Sequence, residues 1–401
     1  MKTSLTKIAI FISLQFFISL SCSSEEAPEI PEGLGFSCSD GILNGNEVIV
    51  DCGGDCPGFC PLESIGILEG ELVSDLQLDP AIEYRLRGAY LVRDRASLSI
   101  PAGTVIKADP GVGAYIAVAQ GGTLNAFGQP ENPVILTSGA ENPAPGDWGG
   151  LVIHGKAPIN TSDLGRSDIL DIFYGGNELE DTSGVINYLR VEYAGAESDN
   201  EQNFDAVAFY GVGSFTTVTR LQTYKSLGNG FRFVGGNVNA SWLVANELGG
   251  NGVELNNDWS GNGDSWFISG ITKAGIKITS DSEIGIENPI ETDTIVNVSI
   301  ISPGNEGGLS FAVEGGNYYS ADIFMSQLNL GFNIVGEKAM EQVDMGNLQL
   351  DSVQFDSPAM NFTTTNYTGS NTFFFNEATT MGAGNGALKP EWALGWTIGI
   401  D

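Results

Sequence analysis

The chain runs to 401 residues and carries 50 acidic side chains against 17 basic ones, a formal charge of −33. A field of that sign repels nucleic acid, so a DNA- or RNA-binding role is excluded, and no glycine-rich loop lies between a strand and a helix to cradle a nucleotide. Hydrophobic residues at 42% suffice for a core, and 54 glycines beside only 17% charged residues suit an all-β chain with many tight turns.

Residues 1–21 read as a secretory signal: Lys2 and Lys7 form a basic start, and Ile8 to Leu20 an apolar stretch too short for a dependable membrane span. Ile18-Ser19-Leu20-Ser21-Cys22 resembles a bacterial lipobox. The resemblance implies cleavage before Cys22, acylation of that cysteine and membrane attachment through its lipid. An ordinary signal peptide with an incidental Cys22 is the competing reading. Residues 22–35 form a Pro- and Glu-rich tether. Its opening Ser23-Ser24-Glu25-Glu26 is similar to the export tag of surface-exposed lipoproteins in some Gram-negative bacteria, which implies the outer membrane with the chain facing outward.

Residues 36–62 hold Cys38, Cys52, Cys56 and Cys60. Clustered cysteines in an exported chain point to two disulfides, with three pairings open. Zinc is the weaker reading, because there is one CxxxC pair and no histidine nearby. The run from Asp40-Gly41-Ile42 through Asn44-Gly45-Asn46-Glu47 to Asp51-Cys52-Gly53-Gly54 resembles a small cysteine-rich repeat of bacterial surface proteins. Asp40, Asn44, Asn46, Glu47 and Asp51 are hard oxygen donors among glycines, which makes calcium the one candidate cofactor. Turn formation with solvated carboxylates is the alternative.

Residues 63–401 form the main domain, and from about residue 97 onward one kind of segment keeps returning: a short apolar run closed by Gly-Gly, Gly-Asn or Asn-Gly, as in Gly230–Gly236, Gly252–Asn257 and Gly308–Gly316. A strand-turn unit recurring about every 20–30 residues is the signature of a solenoid. Alternating apolar positions predict strands over 185–193, 215–224, 241–245, 265–269, 294–300, 320–325 and 346–353. No stretch promises an amphipathic helix longer than two turns, which excludes a βαβ sheet. A propeller would need about 40–45 residues per blade. The expected fold is a right-handed parallel β-helix, with Pro390–Trp396 as a cap over its last coil.

Three segments carry a resemblance to bacterial pectate-lyase-like β-helix proteins: Ala96–Lys107, Gly121–Gly128 with Asn132–Ser138, and the Gly-x-Trp-Gly-Gly turn in Pro145–Leu151. It covers about residues 68–401 and implies fold rather than activity, with Thr104, Leu124 and Ile135 filling the interior. The chain departs from the pattern at Leu227-Gly228-Asn229 and Leu248-Gly249-Gly250-Asn251, where relatives carry paired acidic residues. The relatives' acidic site is therefore not expected here.

Signals for chemistry are sparse. The Asp-Asp and Gly-His-Gly signatures of polygalacturonases are absent, and lysines and arginines are few for a lyase. Arg85, Arg87, Arg93 and Arg95 read as a solvated face paired with Glu83, Asp94 and other local acids. His154, the only histidine, sits on a strand and reads as packing. The richest surface spans Trp242, Glu254, Asn256, Asn257, Asp258, Trp259, Asp264 and Trp266. Trp242 and Trp266, at equivalent strand positions, read as core. Trp259, in a polar turn, reads as the sugar contact, with Asn257, Asp258 and Asp264 as hydrogen-bonding partners.

The favoured function is a lipid-anchored envelope protein that binds a polysaccharide or another surface component without catalysis. The alternatives are a polysaccharide lyase or glycoside hydrolase using Glu254, Asp258 and Asp264, and a structural spacer. A tight groove with a preorganised carboxylate pair would favour the enzyme; a flat, irregularly acidic face would favour binding or spacing.

Overall fold

The computed structural model describes Cys38 and residues 65–111, 113–160, 164–198, 202–256, 259–280 and 293–400. Two compact units divide the chain, Met1–Cys60 and Pro61–Asp401. In the first only Cys38 is described, and it is disulfide-bonded. Cys22, Cys52, Cys56 and Cys60, the calcium candidates Asp40, Asn44, Asn46, Glu47 and Asp51, and the ligand candidates Asn257 and Asp258 lie outside the described residues. Among the described residues no helix is long and apolar enough to cross a membrane.

Among the described residues of the second unit 24 strands form one hydrogen-bonded sheet wound into a parallel β-helix. From Gly184 onward each coil contributes a long strand and a short one. The long strands begin with Gly184–Glu192, Thr217–Tyr224, Ala240–Leu248 and Asn262–Ile271, each parallel to the next. The short ones include Val207–Tyr210, Phe231–Val234, Val253–Asn256 and Ile276–Ser280. The expected strands are present, and Asp293–Ile301, Tyr318–Ser326 and Leu348–Asp356 continue the long series.

Every long strand turns a corner at a single residue in the left-handed region. Tyr188, Arg220, Trp242, Ser265, Asn297, Asp322 and Ser352, with φ between 51 and 60°, stack in one column. A second column lies five residues further along each coil: Tyr193, Lys225, Glu247, Gly270, Ser302, Gln327 and Ser357. Only one of these positions is glycine, although a left-handed L-residue costs roughly 1–2 kcal/mol. The ladder hydrogen bonds that resume on both sides of each corner offset that cost. The corners give each coil three sides, for example residues 217–219, 221–224 and 231–234.

The interior is aromatic in its middle coils. Phe209 and Phe233 stack at 4.9 Å, and Trp259 and Trp266 pack against Phe233 at 5.2 and 6.3 Å. Trp148 of the Gly-x-Trp-Gly-Gly turn is buried, and its indole nitrogen donates to the Glu192 carbonyl at 2.8 Å. Gly150 follows at φ +128°, where a Cβ would stand 2.6 Å from the Ala206 carbonyl oxygen. Thr104 and Leu124 point inward as expected. Ile135 does not: its neighbours Val134 and Leu136 are buried while it stays partly exposed, because the strand Val134–Ser138 buries the alternate positions.

Two elements depart from expectation. A ten-residue helix, Gly336–Met345, precedes Leu348–Asp356, built from strong helix formers and ended by Gly346 in the left-handed conformation. The C-terminal segment is not a cap over the last coil. Trp396 is fully buried and packs edge-on to Tyr188 at 5.7 Å, and it clusters with Val244, Phe267, Ile301 and Phe324 on the outside of the second face. These outward apolar side chains need cover, and the tail supplies it by running back along the stack.

Candidate functional site

Chemistry gathers on the outer surface of the third face. On its short strands Ala208, Arg232, Glu254 and Lys277 are register neighbours in one column, of which Ala208 is buried and the three charged residues are partly exposed. Beside the column opens a cleft of about 400 Å³ lined by Asp168, Asp205, Asn229, Arg232, Glu254 and Lys273, among others. The turn before each strand forms its wall. Gly228 must be glycine there, since a Cβ would run into the carbonyl oxygen of Phe204.

Arg232 is the hub. It reaches Asp168 at 2.8 Å, donates through Nε to Asn256 at 3.0 Å, and lies 3.9 Å from Oδ2 of Asp205. Burial works against its charge, but the surrounding acidic groups outweigh that and hold it protonated. Asp168 comes from an excursion between strands that also forms a small antiparallel ribbon, Gly165–Arg166 with Phe173–Tyr174. Burial would raise the Asp168 carboxyl, yet the charge of Arg232 and the hydrogen bonds from Tyr210 and Arg232 hold it below the usual carboxylate value. Tyr210 donates its hydroxyl to Asp168, and burial pushes its phenol well above the ordinary range.

Asp205 and Glu254 are joined by one amide. Asn229 Nδ2 donates to Asp205 Oδ1 at 2.7 Å and to Glu254 Oε2 at 2.9 Å. The two acceptor oxygens are therefore no further apart than the combined length of those bonds. Glu254 also accepts from Asn251 at 3.0 Å and from Asn256 at 3.2 Å, which fixes its orientation. Asp205 is 8% exposed, and burial raises its carboxyl to about 7 despite the nearby Arg232. Its second oxygen, Oδ2, makes no hydrogen bond to the described residues. Lys273, exposed at the rim, makes no ion pair among them.

The tryptophan expectations need correcting. Trp259 is 1% exposed; its ring packs on Phe233 and Trp266 and its indole nitrogen donates to the Val238 carbonyl at 3.0 Å. It is a core residue and no sugar contact. Trp266 is core as expected, pairing with Leu243. Trp242 is not its equivalent: it occupies the left-handed corner one residue earlier, partly exposed, with the Arg220 guanidinium 4.1 Å above its ring.

Nor does Asp264 join Glu254. It precedes the corner at Ser265, pairs with Ser241 on the first face, and accepts from Asn297 at 2.8 Å. Of the described carboxylate candidates, Glu254 alone enters the cleft. Asp168, Asp205, Asn229, Arg232 and Lys273 were not singled out from sequence. One signal was present: aligning Phe231-Arg232, Val253-Glu254 and Ile276-Lys277 puts a charge at the same outward position of three apolar strands. The departure at Leu227-Gly228-Asn229 also takes on a different meaning, because Asn229 there joins two carboxylates supplied from neighbouring coils.

His154 is fully buried on this face. Nδ1 lies 2.9 Å from the Val118 carbonyl, which can only accept, so Nδ1 carries the proton and Nε2 accepts from Ser167. Burial lowers the imidazole to about 4 against the weaker opposing effect of the Val118 bond. Arg85 and Arg93 form ion pairs with Asp109 and Glu71, so their acidic partners come from adjacent coils. Among the described residues no group of three metal-ligating side chains is assembled.

The family model described as a pectate-lyase like beta helix domain matches residues 70–397. Neither the curated proteins nor the solved structures contain a match. The matched span covers most of the chain, which therefore belongs to the pectate-lyase-like β-helix family.

Proposed function

We propose that this member of the pectate-lyase-like β-helix family is an envelope protein that binds a polysaccharide in the cleft beside Arg232. The carrying observation is the set of fixed polar groups that Asn229, Asn251, Arg232 and Glu254 present on consecutive coils of one face. Amides and carboxylates held by one another lose little side-chain entropy when they meet sugar hydroxyls. Coils about 4.8 Å apart repeat such groups along an extended chain. Lys273 at the rim would add an attraction for sugar carboxylates or sulfates.

The same proposal places the protein at the outer membrane, facing outward, through acylated Cys22, with calcium held by Asp40, Asn44, Asn46, Glu47 and Asp51. The lipobox-like run and the oxygen donors of that segment support these parts. Metabolic labelling with an alkynyl fatty acid should mark the wild-type chain and not Cys22→Ser, and protease added to whole cells should remove the labelled protein's body. Calorimetry with calcium should give heat that Glu47→Gln reduces. Unlabelled wild type would discard the anchor, and absent heat would discard the ion.

For the cleft, the test is a glycan array probed with the full mature chain. Binding is expected to at least one polysaccharide class and to weaken about tenfold or more in Lys273→Ala or Glu254→Gln. Equal binding by wild type and both variants would move the site elsewhere, and no binding at all would discard the reading.

A further inference from the structure

Resting on the cleft as a glycan site, we infer that Asp205 and Glu254 form a hydrolytic pair that cleaves a glycosidic bond with retention of configuration. Three features of the cleft lead there. The nearest oxygens of the two carboxyl groups are separated by less than the two Asn229 hydrogen bonds laid end to end, 2.7 and 2.9 Å. That upper bound stops short of the roughly 6.5–9.5 Å that leaves room for a water in inverting enzymes, and of the two geometries it points to the retaining one. Asp205 lines the cleft and is buried to all but 8%; its Oδ2 makes no hydrogen bond to the described residues and lies 3.9 Å from the Arg232 guanidinium. A buried carboxyl with an open oxygen is placed to hand over a proton. Glu254 is held in place by hydrogen bonds from Asn229, Asn251 and Asn256, and its Oε1, with one amide contact, keeps a lone pair for attack.

The burial that raises Asp205 to about 7 keeps much of it protonated at neutral pH, as a proton donor requires. Asn229 is a positioning residue, orienting both groups at once. In the first step the glycosidic C–O bond breaks, the Asp205 proton passes to the leaving-group oxygen, and a Glu254 oxygen bonds to the anomeric carbon. In the second, water attacks that carbon, its proton returns to Asp205, and the ester bond to Glu254 breaks. Water is the only co-reactant, and no electrons change hands.

The experiment combines the glycan array with two assays on the full mature chain: reducing ends released from each arrayed polysaccharide, and hydrolysis of aryl glycosides of glucose, galactose, mannose, xylose and galacturonic acid. New reducing ends are expected on a bound polysaccharide, with the first-formed anomer retained by proton NMR. Glu254→Gln should lower the rate by about a thousandfold or more while circular dichroism stays unchanged. Glu254→Ala should yield a glycosyl azide when azide is added. Asp205→Asn should slow polysaccharide cleavage far more than cleavage of aryl glycosides with good leaving groups. Binding without any cleavage would overturn the hydrolytic pair and leave the binding reading intact. Inverted product, or unsaturated product absorbing near 235 nm, would overturn it in favour of other chemistry. Neither binding nor cleavage would overturn both readings.

Discussion

The side-chain amide of Gln222 and the backbone of Ile398 exchange two hydrogen bonds, Nε2 to the Ile398 carbonyl at 2.7 Å and the Ile398 N–H to Oε1 at 3.0 Å. A glutamine on the outer side of a middle coil thus pairs with the chain's end as a neighbouring strand would. Asn246, one coil further on, repeats the gesture toward Gly399 at 3.2 Å, and Ser299 holds Gly386 at 2.8 Å. The tail is fastened coil by coil, and between these bonds it shelters Val244, Phe267 and Phe324.

Removing the Trp396 side chain should therefore cost about 3–5 kcal/mol, the usual loss for a fully buried aromatic. Hydrogen exchange is the apt measurement, since solenoids open locally. Trp396→Ala should speed exchange in the strands Ala240–Leu248 and Asn262–Ile271 while leaving Ser97–Pro101 protected. Uniform acceleration along the whole stack would count against local fastening.

Asp205 sets a pH dependence of opposite sign to that of most carboxylates. Its folded value, about 7, lies above the ordinary 3.8, so between those limits the folded chain binds the extra proton. Stability contributed by this group is full below pH 4 and declines as pH rises to about 7. Asp205→Asn should be more heat-stable than wild type at pH 8, with the gap closing toward pH 4. A pH-independent difference would mean that the carboxyl is not raised.

His154 should behave in the opposite sense. Its imidazole is lowered to about 4 by burial, so acidification from about pH 6.5 downward favours the unfolded chain, which takes up the proton more readily. It is the only histidine, so its ring resonances are unambiguous. They should show a neutral ring protonated at Nδ1, unchanged from pH 8 to pH 5. A midpoint near 6.5 in the folded protein would contradict the burial described.

The corner residues allow a sharp backbone test. Ser352, at φ 54°, stands in the left-handed column, where a β-branched side chain is strongly disfavoured. Ser352→Val should destabilise by about 1–2 kcal/mol. Ser320→Val, at a buried position of the adjacent strand outside the left-handed column, supplies a comparison that loses a hydrogen bond but meets no such backbone penalty. Urea unfolding of the pair, showing no corner-specific loss beyond the hydrogen bond at Ser320, would refute the account.

The strands were legible because alternation survives in short runs such as Thr217–Tyr224, and the Gly-Gly and Gly-Asn closures mark their ends. The corners were not, because Tyr188, Arg220 and Trp242 are ordinary strand residues by type, and nothing local announces a positive φ. That hidden corner also explains the Trp242 and Trp266 misalignment, one residue of register having decided which ring faces in. Trp259 misled for a related reason: its neighbours in sequence are polar, but the coil turns its ring toward Phe233. Glu254 was visible among Asn and Trp residues. Asp168, Asp205 and Asn229 were not, since they are brought together from separate coils and an excursion, and proximity of that kind leaves no trace in spacing.

The alternating column of Arg232, Glu254 and Lys277 has a consequence for how this chain could have grown. Solenoids ordinarily lengthen by copying whole coils. Here a duplicated coil would set Glu254 beside a second glutamate, and a deleted one would set Arg232 beside Lys277, with like charges about 4.8 Å apart in either case. Asn229 would also lose one of the two carboxylates it joins. The stretch from Asp205 to Lys277 can gain or lose no coil without breaking itself, so changes in length between related chains should fall on either side of it.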